Sequence, residues 1–384
     1  MSTRTQFICY RPKTILNKGK RADHWFWTRY SAYPYLGCQH GCAFCYCRER
    51  KYIPHKPEDV NAVYDEQADE FSHLIKVKEN AAELFRSALG RVPVDMIFTG
   101  DYQPVERKFQ LSRRMLEVCL ELGFPVFVLT RSPLVLRDLD LLQAINDKSS
   151  AVVAFSLIST PESMNYPSIC KLEGLAPRAG KRFEAMEKIA SAGILTGTVA
   201  MPLLPGLCDG EQNLQSLAKW TARHGGKFVL GAGLTLADQQ KEFFLNALEQ
   251  IHPELIDLYK RIYPPGSYAQ IEPRRKIGLR IREYCQQEGI SDRIPRPIIP
   301  GEKRSLNKRV VQIVAEKLYS LELENARGSQ IWAYRKAAWA IEDLEQDIGL
   351  IYNIMGVKGL ESIPDVTAEI AIEIEALLGM LMPS

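Results

Sequence analysis

Four cysteines fall within ten residues, Cys38, Cys42, Cys45 and Cys47, in the stretch YPYLGCQHGCAFCYCRER. The first three are spaced C-x3-C-x2-C, with Phe44 directly before the third. Three thiolates this close can hold three corners of a cubane iron–sulfur cluster and leave one iron open to a chelating cofactor or substrate. The alternative is a zinc knuckle that takes Cys47 or His40 as its fourth ligand. Zinc sites usually pair two Cys-x2-Cys halves at a distance, and no second half occurs here. The other cysteines, Cys9, Cys119, Cys170, Cys208 and Cys285, are scattered and read as ordinary buried thiols. An odd total of nine suits a disulfide framework poorly.

Such a cluster must be positioned by a scaffold, and the rest of the chain supplies the pattern of one. Strand-like runs at Val94–Thr99, Pro125–Leu129, Ala151–Ser156, Ile194–Ala200 and Lys227–Leu230 alternate with helix-like segments. Those segments are Phe109–Leu122, Pro133–Asn146, Lys181–Ala192, Glu211–His224 and Gln239–Ile251. Alternation of this length predicts βα units and a parallel sheet. A first strand before Gly37 brings the count to six, short of an eight-fold barrel, so the expected fold class is α/β with a partial (β/α)6 TIM-like barrel. Residues 293–301 (RIPRPIIPG) cannot continue a helix. Beyond them no strand-like run occurs, which predicts four or five short helices. The expected organisation is a basic N-terminal lead over 1–30, the barrel over 31–292, a proline-rich linker over 293–301 and a small all-α domain over 302–384.

Composition sets outer limits. The chain has 384 residues, 46% of them hydrophobic and 25% charged, which is ordinary for a globular protein. No apolar run approaches a bilayer span, and MSTRTQFICYRPKTILNKGKR has no apolar core of a secretory signal. A cytoplasmic protein with no membrane partner is expected. Net charge is +3 overall, but residues 301–384 carry 9 Lys+Arg against 13 Asp+Glu. An acidic partner is therefore expected on the first three hundred residues.

The Cys-x3-Cys-x-aromatic-Cys motif after a first barrel strand resembles the radical S-adenosylmethionine (radical SAM) superfamily. The segments FTGDYQPVER, LTRSPLVLRDLDLL, FSLIST, LEGLAPRAGKR and AMPLLPGLCD resemble its spore-photoproduct-lyase-like branch over roughly residues 30–255. The resemblance implies a 4Fe–4S cluster on Cys38, Cys42 and Cys45. SAM would chelate the open iron through its amino and carboxylate groups. An electron from the cluster would then split the sulfonium, giving a 5′-deoxyadenosyl radical that abstracts hydrogen from substrate, while the protein positions the cofactor and excludes water. Phe44 and Thr99-Gly100-Asp101 match the cofactor-binding motifs, with Asp101 receiving the SAM ammonium. Arg131 would lie near the SAM carboxylate, Ser156 and Ser159 near its ribose, and Met201-Pro202 around the adenosine. Each lies at the C-terminal end of an expected strand, the face where barrel active sites sit. Glu173 and Arg182 match the branch's LEP-and-arginine segment, with Gly174 in place of the proline.

Two departures bear on function. In spore photoproduct lyases a cysteine precedes the matching threonine and returns a hydrogen atom to the product; here Phe98 stands there and has no weak X–H bond to give. Cys47 and Tyr46 are the candidate substitutes. The C-terminal stretch resembles the helix-hairpin-helix domain at the N-terminus of X-family DNA polymerases. Its turn reads Ile363-Pro364-Asp365-Val366-Thr367 where working hairpins have two glycines, and Glu369 and Glu373 replace two lysines. Schiff-base chemistry at those positions is excluded. Basic runs at Arg48-Glu49-Arg50-Lys51 and Arg274-Arg275-Lys276, and the aromatic run His24-Trp25-Phe26-Trp27, are candidate nucleic-acid contacts. The expected function is a radical SAM enzyme acting on nucleic acid, with DNA favoured, in repair or modification. Modification of a protein or tRNA, or a non-catalytic iron–sulfur DNA-binding scaffold, are the alternatives. The expected partners are an electron donor such as a flavodoxin or ferredoxin and a protein docked on the C-terminal domain.

Overall fold

The computed structural model describes residues 5–53, 69–264 and 271–382. Ten strands are found among them: β1 (Gln6–Tyr10), β2 (Asn17–Lys18), β3 (Tyr30–Ser31), β4 (Tyr35–Leu36), β5 (Leu74–Lys78), β6 (Ile97–Phe98), β7 (Val126–Thr130), β8 (Ala151–Ser156), β9 (Leu195–Leu203) and β10 (Val229–Gly233). The large sheet runs β10-β9-β8-β7-β6-β3-β2. All neighbours from β10 to β3 are parallel and only the edge strand β2 is antiparallel. This is the six-stranded half-barrel expected from the pattern. The expected helices recur with small shifts at Leu111–Leu122, Leu139–Lys148, Ala179–Ser191, Glu211–Arg223 and Asp238–Glu249. Pro133–Asp138 is a separate 3-10 turn before its helix.

A second, three-stranded sheet, β1-β5-β4, was not foreseen. It pairs Gln6–Tyr10 with Leu74–Lys78 and draws the segment expected as a basic lead into the fold. Its role is local: β4 leads directly into the cysteine segment.

The strands are buried on both faces, as parallel strands with crossover helices must be. On β8, Val153 and Phe155 face the surrounding helices and join a core with Met115, Ile145, Phe183 and Met186. Val152 and Ala154 point the other way, with Phe127, Val199, Phe228 and Leu230. This concave face is covered by the C-terminal helices, whose Val310, Val311, Ile341, Ile374 and Leu378 share one core with it. Those helices span Ser305–Leu323, Gly328–Asp343, Ile348–Met355, Val357–Glu361 and Ala368–Leu381, the five-helix count allowed for, with the first two long.

The segment 293–301 is packed rather than a free tether. Ile294 is buried, and its carbonyl accepts a 2.8 Å hydrogen bond from the Trp27 indole. Arg296 lies over the Trp27 ring and forms a bidentate pair with Glu342 at 2.6 and 2.7 Å. Trp27 is thereby spent on this junction, which corrects its reading as a base-stacking contact, whereas Phe26 packs on Phe98 and lines the chamber described below.

Burial pushes the Glu342 carboxyl up, but its hydrogen bonds to Arg296 outweigh that and hold it below its ordinary value. A depressed carboxylate contributes stability that is present above its unfolded pKa and lost as pH falls through the folded one. Glu342→Gln, which leaves a buried guanidinium without its charge partner, is expected to cost roughly 3 kcal/mol at pH 7. Thermal melts should show the gap from wild type constant down to about pH 5 and narrowing below it. A gap that stays constant to pH 3 would refute the pairing.

Candidate active site

The cysteine segment is pinned from several sides. The Cys38 amide donates to Phe71 O at 2.8 Å, the Gln39 amide to Gln103 Oε1 at 2.8 Å and the Ala43 amide to Leu172 O at 2.8 Å. Arg48, only 3% exposed, reaches back into the loop, donating from Nε to Cys42 O at 2.8 Å and from Nη2 to Gly41 O at 2.9 Å. Its guanidinium is held bidentately by Asp69 and lies 3.7 Å from the Phe243 ring centroid. Arg48 is therefore a strut of the loop and not part of a nucleic-acid face. Of the same run, Lys51 pairs with Glu49 at the surface.

A cavity of about 650 Å³ opens above the plugged half of the barrel, at the C-terminal ends of the strands. Cys38, Cys42 and Cys45 line it, together with Phe44, Tyr46, Asp101, Arg131, Ser156 and Met201. Cys47, Thr99, Gly100 and Ser159 are outside that lining. Thr99 is fully buried, its hydroxyl donating to Ala32 O at 3.0 Å, and Gly100 shapes the turn at φ +91°. Ser159 is buried elsewhere, and the Cys47 thiol is hydrogen-bonded to Cys45, which with burial drives its pKa far up against the opposing hydrogen bond with Tyr46. Of the two candidate hydrogen donors, Tyr46 faces the cavity and Cys47 does not.

Every one of the nine thiols is free. Among the described residues no three His, Cys, Asp or Glu side chains converge as a single ion requires. A cubane offers each thiolate its own iron, so three thiols spread around a chamber fit it. Cys45 is drawn down to about 7, mainly by its hydrogen bond from Cys47, whereas burial raises Cys42 to about 11. Burial raises Asp101 to about 6 despite its hydrogen bond from Gln103. Fully buried Gln103 ties that carboxylate to the cysteine loop, donating to Asp101 Oδ2 at 3.0 Å and to Gly37 O at 2.9 Å.

Arg131 is shared. Its guanidinium lies 5.2 Å from the Phe44 ring centroid and bonds Glu173 Oε1 at 2.6 Å. Glu173 also takes both ends of fully buried Arg182, which in turn donates to Ser156 O at 2.8 Å. The Glu173 carbonyl lies 3.4 Å from Cys42 Sγ, within reach of the thiol's proton. This triad gives the LEP-like segment a role: it locks a cysteine, Arg131 and the end of β8 together. Gly174 has φ +61°, and a Cβ there would lie 2.5 Å from His40 O, so neither proline nor alanine fits this turn.

Sequence reasoning missed Tyr33 and the Ala232–Thr235 stretch at the end of β10 and beyond it, and considered His40 only as a zinc ligand; all of them are in the lining. The glycine-rich GAGLT after the last strand was the available signal. Burial, and then Arg131 and Arg182, lowers His40 to about 4, so it stands neutral.

With this geometry in hand, comparison with known proteins is direct. Residues 33–218 match the family model of the Radical SAM superfamily. An uncharacterized protein of Mycobacterium tuberculosis is 28% identical over 260 residues, covering 66% of this chain and 72% of its own. A radical SAM Nα-GlyT isomerase of Pseudomonas phage M6 is 29% identical over 227 residues, 58% of this chain and 42% of its own. Among solved structures, a spore photoproduct lyase mutant with bound AdoMet and dinucleoside spore photoproduct superposes with a TM-score of 0.52 at 17% identity, covering 74% of this chain and 80% of that one. Residues 33–218 thus form a radical SAM domain, and the protein is an enzyme with a 4Fe–4S cluster and SAM as its cofactors.

Proposed function

We propose that the enzyme abstracts hydrogen from a nucleic-acid substrate, in DNA repair or modification. The observation that carries this is the chamber itself: three free thiols, a buried carboxylate and a guanidinium around one cavity, walled on the substrate side by Phe26, Tyr33 and Phe98. Aromatic faces of this kind accept unstacked bases without demanding a sequence. The fold shared with a spore photoproduct lyase supports a nucleic-acid substrate, and the phage isomerase supports modification beside lyase chemistry.

Cys38, Cys42 and Cys45 hold the cluster in this reading. Once bound, it supplies the electron that cleaves SAM reductively and so makes hydrogen abstraction possible. The chain's own residues do the rest. Asp101, anchored by Gln103, would accept from the SAM amino group, and Arg131, oriented by Glu173, would meet its carboxylate. Met201 and the Ser156 turn would border the adenosine, and the C-terminal helices close the floor to water. Phe98 contributes a wall and no transferable hydrogen, while Tyr33 and Tyr46 line the chamber beside it.

The nucleic-acid surface is not the Arg48 run. Arg282 is held by Asp292, Arg280 pairs with Glu211, and on the C-terminal helices Arg335 and Lys336 pair with Glu322 and Asp365. Arg274 and Lys276 are exposed. The helix pair Val357–Glu361 and Ala368–Leu381, with its acidic turn, serves packing rather than phosphate binding.

Anaerobic reconstitution followed by dithionite and SAM should yield 5′-deoxyadenosine, and Cys42→Ala should lower it at least a hundredfold. An intact cluster with SAM left uncut, even with DNA present, would favour the scaffold reading, and bound zinc would overturn the cluster. Asp101→Asn should weaken SAM binding about tenfold, the order expected for losing a charge-assisted hydrogen bond, with iron content unchanged. Equal SAM affinity in the two proteins would remove Asp101 from the role.

A further inference from the structure

One surface excursion reaches into the cysteine loop from outside. It runs from Lys171 at the end of the helix Tyr166–Leu172 to Lys181 in the first turn of Ala179–Ser191. Three hydrogen bonds join it to the loop: Leu175 N–H to His40 O at 2.8 Å, Ala43 N–H to Leu172 O at 2.8 Å, and the Cys42 thiol to Glu173 O at 3.4 Å. The missing side chain of Gly174 lets the two backbones touch. On its outer side the excursion presents Leu175, 79% exposed. Around it stand Lys171, Arg178 and Lys181, all exposed.

Among the described residues neither Lys171 nor Arg178 has a carboxylate partner. Two acids border the patch. Glu184 is occupied by Lys181 at 2.8 Å, and Glu162 lies on the loop whose Pro161 would meet a Cβ at Gly180 at 3.8 Å. That loop also exposes Met164 at 81%. An apolar knob inside a basic rim, over the ligands of a redox cluster, has the chemistry of a transient docking site for an acidic protein.

We propose that this excursion is the docking surface of an acidic one-electron carrier of the flavodoxin class, and that Leu175, Gly174 and the Glu173 carbonyl form the electron's path to Cys42. The proposal rests on the radical SAM chemistry above. One electron leaves the carrier's flavin hydroquinone, which becomes the semiquinone, and reduces the cluster by one electron; no bond forms or breaks in this transfer. The basic rim steers the encounter, and the exposed leucine brings the partner's apolar cofactor edge against backbone that contacts the ligand loop.

The test uses the full chain with its cluster reconstituted and a reduced flavodoxin as probe. Cluster reduction is followed by stopped-flow absorbance and binding by calorimetry, at low and high salt. In the wild type both should weaken as salt rises, because exposed charges are screened. Lys171→Glu with Arg178→Glu should slow flavodoxin-driven reduction and weaken binding about tenfold, while dithionite-driven reduction and 5′-deoxyadenosine formation stay unchanged. Flavodoxin rates equal to wild type in that variant, or independent of salt in the wild type, would overturn the docking surface. If the double variant fails with dithionite as well, Arg178→Gln and Leu175→Ala take its place, with the same two expectations. Wild-type protein that fails with dithionite would refute the radical SAM reading instead, so the two failures are distinct.

Discussion

An open half-barrel has an apolar concave face that it cannot bury against itself, and this constraint organises the rest of the molecule. Phe127, Val152, Ala154, Val199, Phe228 and Leu230 would face water if the sheet stood alone. A closed barrel fills such a lumen with its own layers of side chains; here helices from beyond residue 300 do it, joined by Trp27. The cover reaches the lower half of the strands and stops near Phe98, Leu129 and Met201, which pack on the plug from above and also line the chamber. The depth of the active site is therefore set by where the plug ends.

The second constraint is charge. Glu173 is almost fully buried between Arg131 and Arg182, and Arg48 is buried against Asp69. Buried ions of this kind gain little net stability over apolar packing, yet removing one partner is costly. What they supply here is position. Two of these guanidinium groups also donate to backbone carbonyls of the site, Arg48 to the cysteine loop and Arg182 to the end of β8. The Arg–Glu–Arg triad carries one positive charge in excess beside three thiols. That is a favourable surrounding for thiolate ligands and for a carboxylate-bearing cofactor.

Much of this was legible in the sequence, for reasons that lie in local pattern. The cysteine spacing is local, and so is the alternation that marked the strands, which the structure reproduces within a few residues. What stayed illegible depends on partners distant in the chain. Arg48 sits in a basic run, and only its contacts with Asp69 and Phe243 show it to be a buried strut. Gln103 carries no local signal of its role, which the fold reveals by setting it against Gly37 and Asp101. The two-residue strands β2 to β4 have too few side chains to show any period. Gly174 in place of proline has no meaning from the sequence alone, whereas its φ of +61° shows a turn that proline could not make.

The acidic C-terminal turn shows why a resemblance in pattern does not carry function with it. Ile363 and Val366 are buried in the core that the plug shares with the sheet, so the apolar positions of the pattern are needed for packing alone. Asp365 between them adopts φ +62°, a left-handed conformation that glycine takes freely and aspartate tolerates. The backbone turn is thus preserved while its exposed tip carries a carboxylate, 3.6 Å from the Lys336 ammonium, which is one of the few cations nearby. A phosphate would meet that carboxylate first. Glu373, exposed on the same helix, accepts from the Tyr334 hydroxyl at 2.7 Å. Packing on the half-barrel is sufficient to account for Ile363 and Val366, and the acidic tip is the reason the nucleic-acid contact proposed above is assigned to the open end of the chamber rather than to the plug.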